Sequence, residues 1–308
     1  MKPHLRTGAA FTIVAGVVAI PCPAQAQSQP ATLSVPVAVD GAPARVALKP
    51  AGRLGQVTFP ARAGQRLGFG ISGVKFTPQS AAALVVTVRR PDGTTLPGFR
   101  RVHCMAATAN DPEAACDGEF TADQAGRYAI EVDPPFSAAA EFTVLVSRPA
   151  AASVKAGSSH TVALSRVGQD ATLQFALEPG ADVSVSARNG PGRVAGRGAF
   201  VMRVYRPDGS LLAEAAGDST RGPSLPVSGP PGTYAIEIDP ENGGTGTFVV
   251  AVNAATGIAI DGPPVEFAVR SASEVARLPF TVEAARSVSV AIEGLAHTPP
   301  DVDSNSVL

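Results

Sequence analysis

The side chains that usually carry catalysis are few here and badly spaced for it. His103, His160 and His297 fall one in each region of the chain. His103 adjoins Cys104, the one pairing that suggests a thiolate activated by an imidazole. Cys116, however, offers the same sulfur a covalent partner, and the two cysteines that remain once Cys22 leaves with an export signal favour a disulfide. The Cys104–Cys116 loop is short, and the chain-entropy model gives its closure roughly 2–3 kcal/mol of stability. A metal centre on these residues finds no further ligand close by except His103. The sequence contains no Gly-x-Ser-x-Gly elbow, no His-Glu-x-x-His pair and no phosphate loop. The Gly-rich run from Asn189 to Gly198 leads into a strand rather than a helix, which argues against a nucleotide site. No catalytic residue is assigned, and the chain is read as a non-enzyme.

The acidic residues offer a different chemistry. Asp111, Glu113, Asp117 and Glu119 lie close together in the sequence, and calcium is held by several oxygen ligands gathered from one segment. They are the metal candidates, with calcium the one cofactor considered. Turns need Asp and solvated strand faces need charge, so the same four residues also fit a purely structural role; both readings stand. Glu131/Asp133 and Glu237/Asp239 recur at matching positions and are expected on outer strand faces. Net charge is −1 and the basic residues are scattered, which excludes a phosphate-binding surface and with it nucleic acid.

The elements that must position these groups are repeated. Phe59 opens a pattern in which Leu67, Phe69 and Ile71 alternate. A shift of 116 residues brings Phe175, Val183, Val185 and Ala187 into register, and a shift of 221 brings Phe280, Val288, Val290 and Ile292. Such alternation makes strands with one buried face. Arg-Pro-Asp-Gly occurs twice, with Asp92-Gly93 and Asp208-Gly209, and predicts a tight turn in which Asp bonds back to the backbone and Gly takes positive φ. Gly-x-Tyr-Ala-Ile-Glu also occurs twice, around Tyr128 and Tyr234, and resembles the tyrosine corner of β-sandwiches. No stretch has helical periodicity. The fold class is therefore all-β: tandem antiparallel, jelly-roll-like β-sandwich modules over 35–149 and 154–253, with an incomplete third module over 256–308. The third register reaches Leu308 at the position of Thr87. A truncated product, completion by another chain and packing back on the second copy are all open.

Residues 1–26 read as a signal peptide: Lys2 and Arg6, an apolar stretch from Gly8 to Ile20, and Ala24-Gln25-Ala26 as the cleavage site. The apolar stretch is too short to span a bilayer. Export to the periplasm or the extracellular space follows, with no membrane span.

In order, the motifs resemble tandem β-sandwich repeats of bacterial secreted proteins, similar to pre-peptidase C-terminal domains, over roughly residues 40 to 308. The resemblance implies an accessory module rather than an activity. The reading is a non-catalytic secreted or cell-surface structural, adhesion-like repeat protein. The alternatives are an accessory binder of extracellular polysaccharide or protein, or a remnant of a larger surface protein. The chain has no Trp and two of its three Tyr are accounted for structurally, which disfavours an aromatic glycan platform. The partner is an unidentified extracellular protein or glycan.

Overall fold

Alternating apolar residues punctuated by Gly and Pro turns give strands almost everywhere they occur. The computed structural model describes residues 32–79, 83–108, 111, 114–135, 138–191, 198–268, 276, 278–283, 285, 287–294 and 296. The signal peptide assigned to 1–26 lies outside the described residues. Nine strands form the first half: β1 (Thr32–Pro36), β2 (Ala44–Leu48), β3 (Leu54–Ala61), β4 (Arg66–Thr77), β5 (Ala83–Arg89), β6 (Val102–Met105), β7 (Ala115–Thr121), β8 (Gly126–Asp133) and β9 (Ala139–Ser147). Nine form the second: β10 (Ala150–Ser153), β11 (Ser158–Leu164), β12 (Ala171–Leu177), β13 (Val183–Asn189), β14 (Phe200–Tyr205), β15 (Leu211–Gly217), β16 (Ser224–Val227), β17 (Gly232–Pro240) and β18 (Gly246–Ala254).

The two halves share one topology. In the first, a sheet of order β1-β3-β8-β5-β6 packs on one of order β2-β9-β4-β7. In the second, β10-β12-β17-β14-β15 packs on β11-β18-β13-β16, the same order strand for strand. Pairing is antiparallel except at one edge of each half, where β1 runs parallel to β3 and β10 to β12. Each sandwich closes its own core. Phe59, Phe69, Ile71, Tyr128 and Phe142 belong to one, and Phe175, Phe200, Tyr234 and Phe248 to the other.

The repeated motifs form the predicted local structures. In the first Pro-Asp-Gly turn the Gly93 N–H donates to Arg90 O (3.0 Å) and the Thr94 N–H to Asp92 Oδ1 (2.9 Å). The second repeats this with Gly209, Arg206, Ser210 and Asp208, and both glycines have φ above 80°. Tyr128 and Tyr234 are fully buried. The Tyr128 hydroxyl donates to Asp123 Oδ1 (2.7 Å) and accepts the Gln124 N–H (3.1 Å), while Tyr234 donates to Pro230 O (3.0 Å). Tyr128→Phe keeps the ring but leaves the Gln124 N–H without its acceptor. It is expected to cost about 1–2 kcal/mol in urea unfolding, with little change in the far-UV spectrum.

Cys104 and Cys116 are disulfide-bonded, with Cα atoms 5.3 Å apart. Cys104 sits on β6 and Cys116 on β7, edge strands of opposite sheets, so the bond clasps the rim of the first sandwich. Asp92 and Asp208 are 116 residues apart but Tyr128 and Tyr234 only 106, which suggests a ten-residue insertion in the first copy that holds both cysteines. They lie instead on strands that the second copy also has, as β15 and β16. Replacing both with serine should lower stability by about 3 kcal/mol by the loop-entropy relation, read as a lower urea midpoint.

The third register behaves differently. Among the described residues beyond Ala254 no strand forms, and Phe280 is 42% exposed, with Val290 and Ile292 also exposed. Phe59 and Phe175 stand on strands that pair with the Gly-x-Tyr strands β8 and β17. The 308 residues hold no third Gly-x-Tyr segment, so within them none is available to pair with the Phe280 segment.

Candidate functional site: a charged junction between the sandwiches

Strand β4 makes the junction possible. Leu67, Phe69 and Ile71 point into the first core and are fully buried, which turns Arg66, Gly68 and Gly70 to the opposite face of the sheet. That face meets the β11–β12 turn of the second sandwich. A Cβ on Gly68 would lie 2.2 Å from the carbonyl oxygen of Gly168, and one on Gly70 would lie 2.2 Å from that of Val167. The two backbones therefore touch directly, which only glycine permits. The turn also reaches back: Arg166 Nε donates to Ser147 Oγ (2.7 Å) and its Nη2 to Gly41 O (2.8 Å). Gln169 donates to Arg148 O (3.2 Å).

Beside this backbone contact lies a cluster of ionisable groups drawn from both sandwiches. Arg66 ion-pairs with Glu119 of its own sandwich and with Glu237 of the other, and its Nη2 stands 3.9 Å from Asp170 Oδ2. Arg203, on β14, donates to Glu237 Oε1 (2.6 Å) and Asp239 Oδ2 (3.1 Å), lies 3.8 Å from Glu119 Oε1 and reaches Glu214 at 3.4 Å. Asp117 accepts the N–H of Gly243 (2.8 Å), in the 3-10 turn Glu241–Gly243 that follows β17. Glu237 is 1% exposed and Asp170 4%.

The electrostatics follow from burial among like charges. Burial, with the Asp239 charge next, pushes Asp117 up to about 7. Burial and the Glu119 charge lift Asp239 to about 6 against the pull of Arg203. Asp170 is raised well above the carboxylate range by burial and then by Asp239 and Glu119, with Arg66 opposing. Burial also acts to raise Glu237, but Arg66 and Arg203 overcome it and hold the group below its ordinary value. Tyr205, half-buried beside Glu237, rises to about 12.

The sequence candidates divide accordingly. Asp117 and Glu119 stand two apart on one face of β7, aimed at the second sandwich, and join the cluster. Asp111 does not: it is exposed in the β6–β7 loop, where its backbone N–H bonds to Thr108. Glu113 lies outside the described residues. Glu237 and Asp239 face outward from their own sandwich, as expected, but the first sandwich covers them. Their counterparts Glu131 and Asp133 have no such cover, and Glu131 is held by Arg89 at 2.6 Å. Sequence reasoning passed over Arg66, Asp170 and Arg203. Two signals were available in the 116-residue register: Gly68 and Gly70 face Ser184 and Ser186, and Arg203 faces Thr87. His103 is exposed while Cys104 is buried and oxidised, so they do not form a thiol–imidazole pair. No helix among the described residues is long and apolar enough to cross a membrane.

No family model and no curated protein matches the chain. Among solved structures, the chain is similar to the pre-peptidase C-terminal domain of a collagenase from Bacillus anthracis. The identity is 18%, covering 34% of this chain and 97% of that one, with a TM-score of 0.27. It is also similar to PliG, a periplasmic inhibitor of g-type lysozyme from Aeromonas hydrophila, with 19% identity, 38% and 99% coverage and a TM-score of 0.23. A third is the CBM22-1–CBM22-2 tandem of Xyn10C from Paenibacillus barcinonensis, with 13% identity, 63% and 81% coverage and a TM-score of 0.24. At these values the likenesses assign nothing to this chain beyond what its own strands show.

Proposed function

We propose that the chain is an exported, non-catalytic structural unit in which two sandwiches act as one rigid contact module at the cell surface or outside the cell. The observation that carries this reading is the closed junction. The densest set of perturbed ionisable groups, which in an enzyme would face a substrate cleft, is here spent on joining two domains. A bead-on-string spacer would leave the two faces apart and hydrated. Small-angle scattering of the mature protein is the test. The profile should match one rigid two-lobed body, whereas a fit that requires a flexible ensemble overturns the reading.

Export is supported by the 1–26 segment and by the disulfide between Cys104 and Cys116. N-terminal sequencing of the exported protein should begin at Gln27. Pull-downs on cell-wall, polysaccharide and surface-protein fractions should retain the protein without turning any of them over. A hydrolase activity lost on one substitution would place it among enzymes instead.

A further inference from the structure

Glu119, Glu237 and Asp239 each present a carboxylate oxygen within 4.8 Å of the others. Glu119 belongs to β7 of the first sandwich, and the other two belong to β17 of the second. Asp170 adds an independent sign that positive charge is wanted here. It is 4% exposed, its Oδ2 accepts no hydrogen bond, and it faces the cluster across 3.9 Å from Arg66. Five carboxylates meet at the junction, those of Asp117, Glu119, Asp170, Glu237 and Asp239. Two guanidiniums, Arg66 and Arg203, touch them among the described residues. Full ionisation leaves three negative charges uncompensated in a site only partly open to water, a costly arrangement.

We propose that this junction is a binding site for a hard divalent cation of the calcium class, with Glu119, Glu237 and Asp239 as its ligands. The donors are all carboxylate oxygens, which suit calcium or magnesium rather than zinc or copper. A spread of up to 4.8 Å is accommodated more readily by calcium. Calcium–oxygen distances of about 2.3–2.6 Å allow ligand oxygens up to about 5 Å apart, whereas magnesium's shell closes at about 4.2 Å. Arg203 Nη1 now lies among the same three carboxylates and marks where positive charge is needed. Its Nε is already 3.4 Å from Glu214, whose side chain is 57% exposed on edge strand β15. The guanidinium can therefore move to that partner and leave the three carboxylates to the ion. Neither sandwich holds the ligand set alone, so the ion would join two domains rather than lock a loop. The proposal does not depend on the contact role above: rigidity in EDTA tests that role, and the response to added ion tests this one.

Terbium luminescence on the full mature chain reports the site directly. The chain has no Trp, and Tyr205 lies against Glu237, placed to sensitise a bound lanthanide. Excitation of tyrosine should give terbium emission that added calcium displaces. Glu119→Gln and Tyr205→Phe should each abolish it, and Asp111→Asn should leave it intact. Glu119→Gln removes one of five crowded carboxylates, so the variant should stay folded. Calcium at about 1 mM should also raise the melting temperature of the wild-type protein by several degrees over EDTA, and should not do so for Glu119→Gln. Absence of emission, emission unchanged in Glu119→Gln, or a melting temperature that responds to acidification but not to calcium would each overturn the proposal.

Discussion

Gly70→Val is expected to separate the two sandwiches while leaving each one folded. The new Cβ would stand 2.2 Å from the carbonyl oxygen of Val167 and 2.6 Å from its Cγ1. The nearer atom is backbone, so no rotamer change relieves the contact. Within β4 itself the substitution is favourable. Residue 70 faces away from the first core, and valine suits a strand better than glycine does. The two effects therefore fall on different parts of the molecule. Calorimetry should resolve two transitions where the parent protein melts as a coupled unit, and the radius of gyration should increase. Gly73→Val, three residues further along the same strand where a Cβ meets nothing within 4 Å, is the control. It adds backbone strain at positive φ without touching the junction, so it should lower the first transition alone.

Arg66→Met should be the most damaging single change among the charged groups. It removes the cation that bridges Glu119 and Glu237 and leaves Arg203 as the remaining guanidinium at the junction among the described residues. Breaking a buried pair by deleting one partner costs about 3–5 kcal/mol. Arg203 still holds Glu237, so the lower end of that range, about 3 kcal/mol, is expected. The cost cannot exceed the free energy that closes the junction, because opening rehydrates Glu237. Chemical denaturation should therefore show earlier separation of the domains rather than loss of either core. The double variant Arg66→Met/Glu237→Gln should recover part of the loss, and the cycle through both single variants measures the coupling.

The strands and turns were legible in the sequence because their determinants are local. Period-2 alternation around Leu67, Phe69 and Ile71 depends on residues adjacent in the chain. So do the Asp92 turn and the Tyr128 corner, which bond within a few positions of themselves. The junction was not legible, because its determinants are differences between the copies rather than their shared pattern. Glu237 reads as a solvated outer-face residue, like Glu131, until the fold sets Arg66 against it from more than half the chain away. Asp117 and Glu119 were singled out for their nearness to Asp111 and Glu113. They belong to the site because of where β7 points, and Asp111 does not share it. Phe280 shows the converse. It matches the repeat locally yet stands exposed, because burial requires a partner strand that local pattern cannot supply.

Only Arg148 and Pro149 separate β9 from β10. A tether that short holds the Gly68/Gly70 face and the β11–β12 turn at an effective concentration of millimolar or more. The junction can therefore close even if its two faces have an affinity too weak to pair separate molecules. The same surfaces, produced as independent sandwiches and mixed at micromolar concentration, should stay apart. The peptide link thus supplies much of the association, and the charge cluster selects one orientation from those it allows.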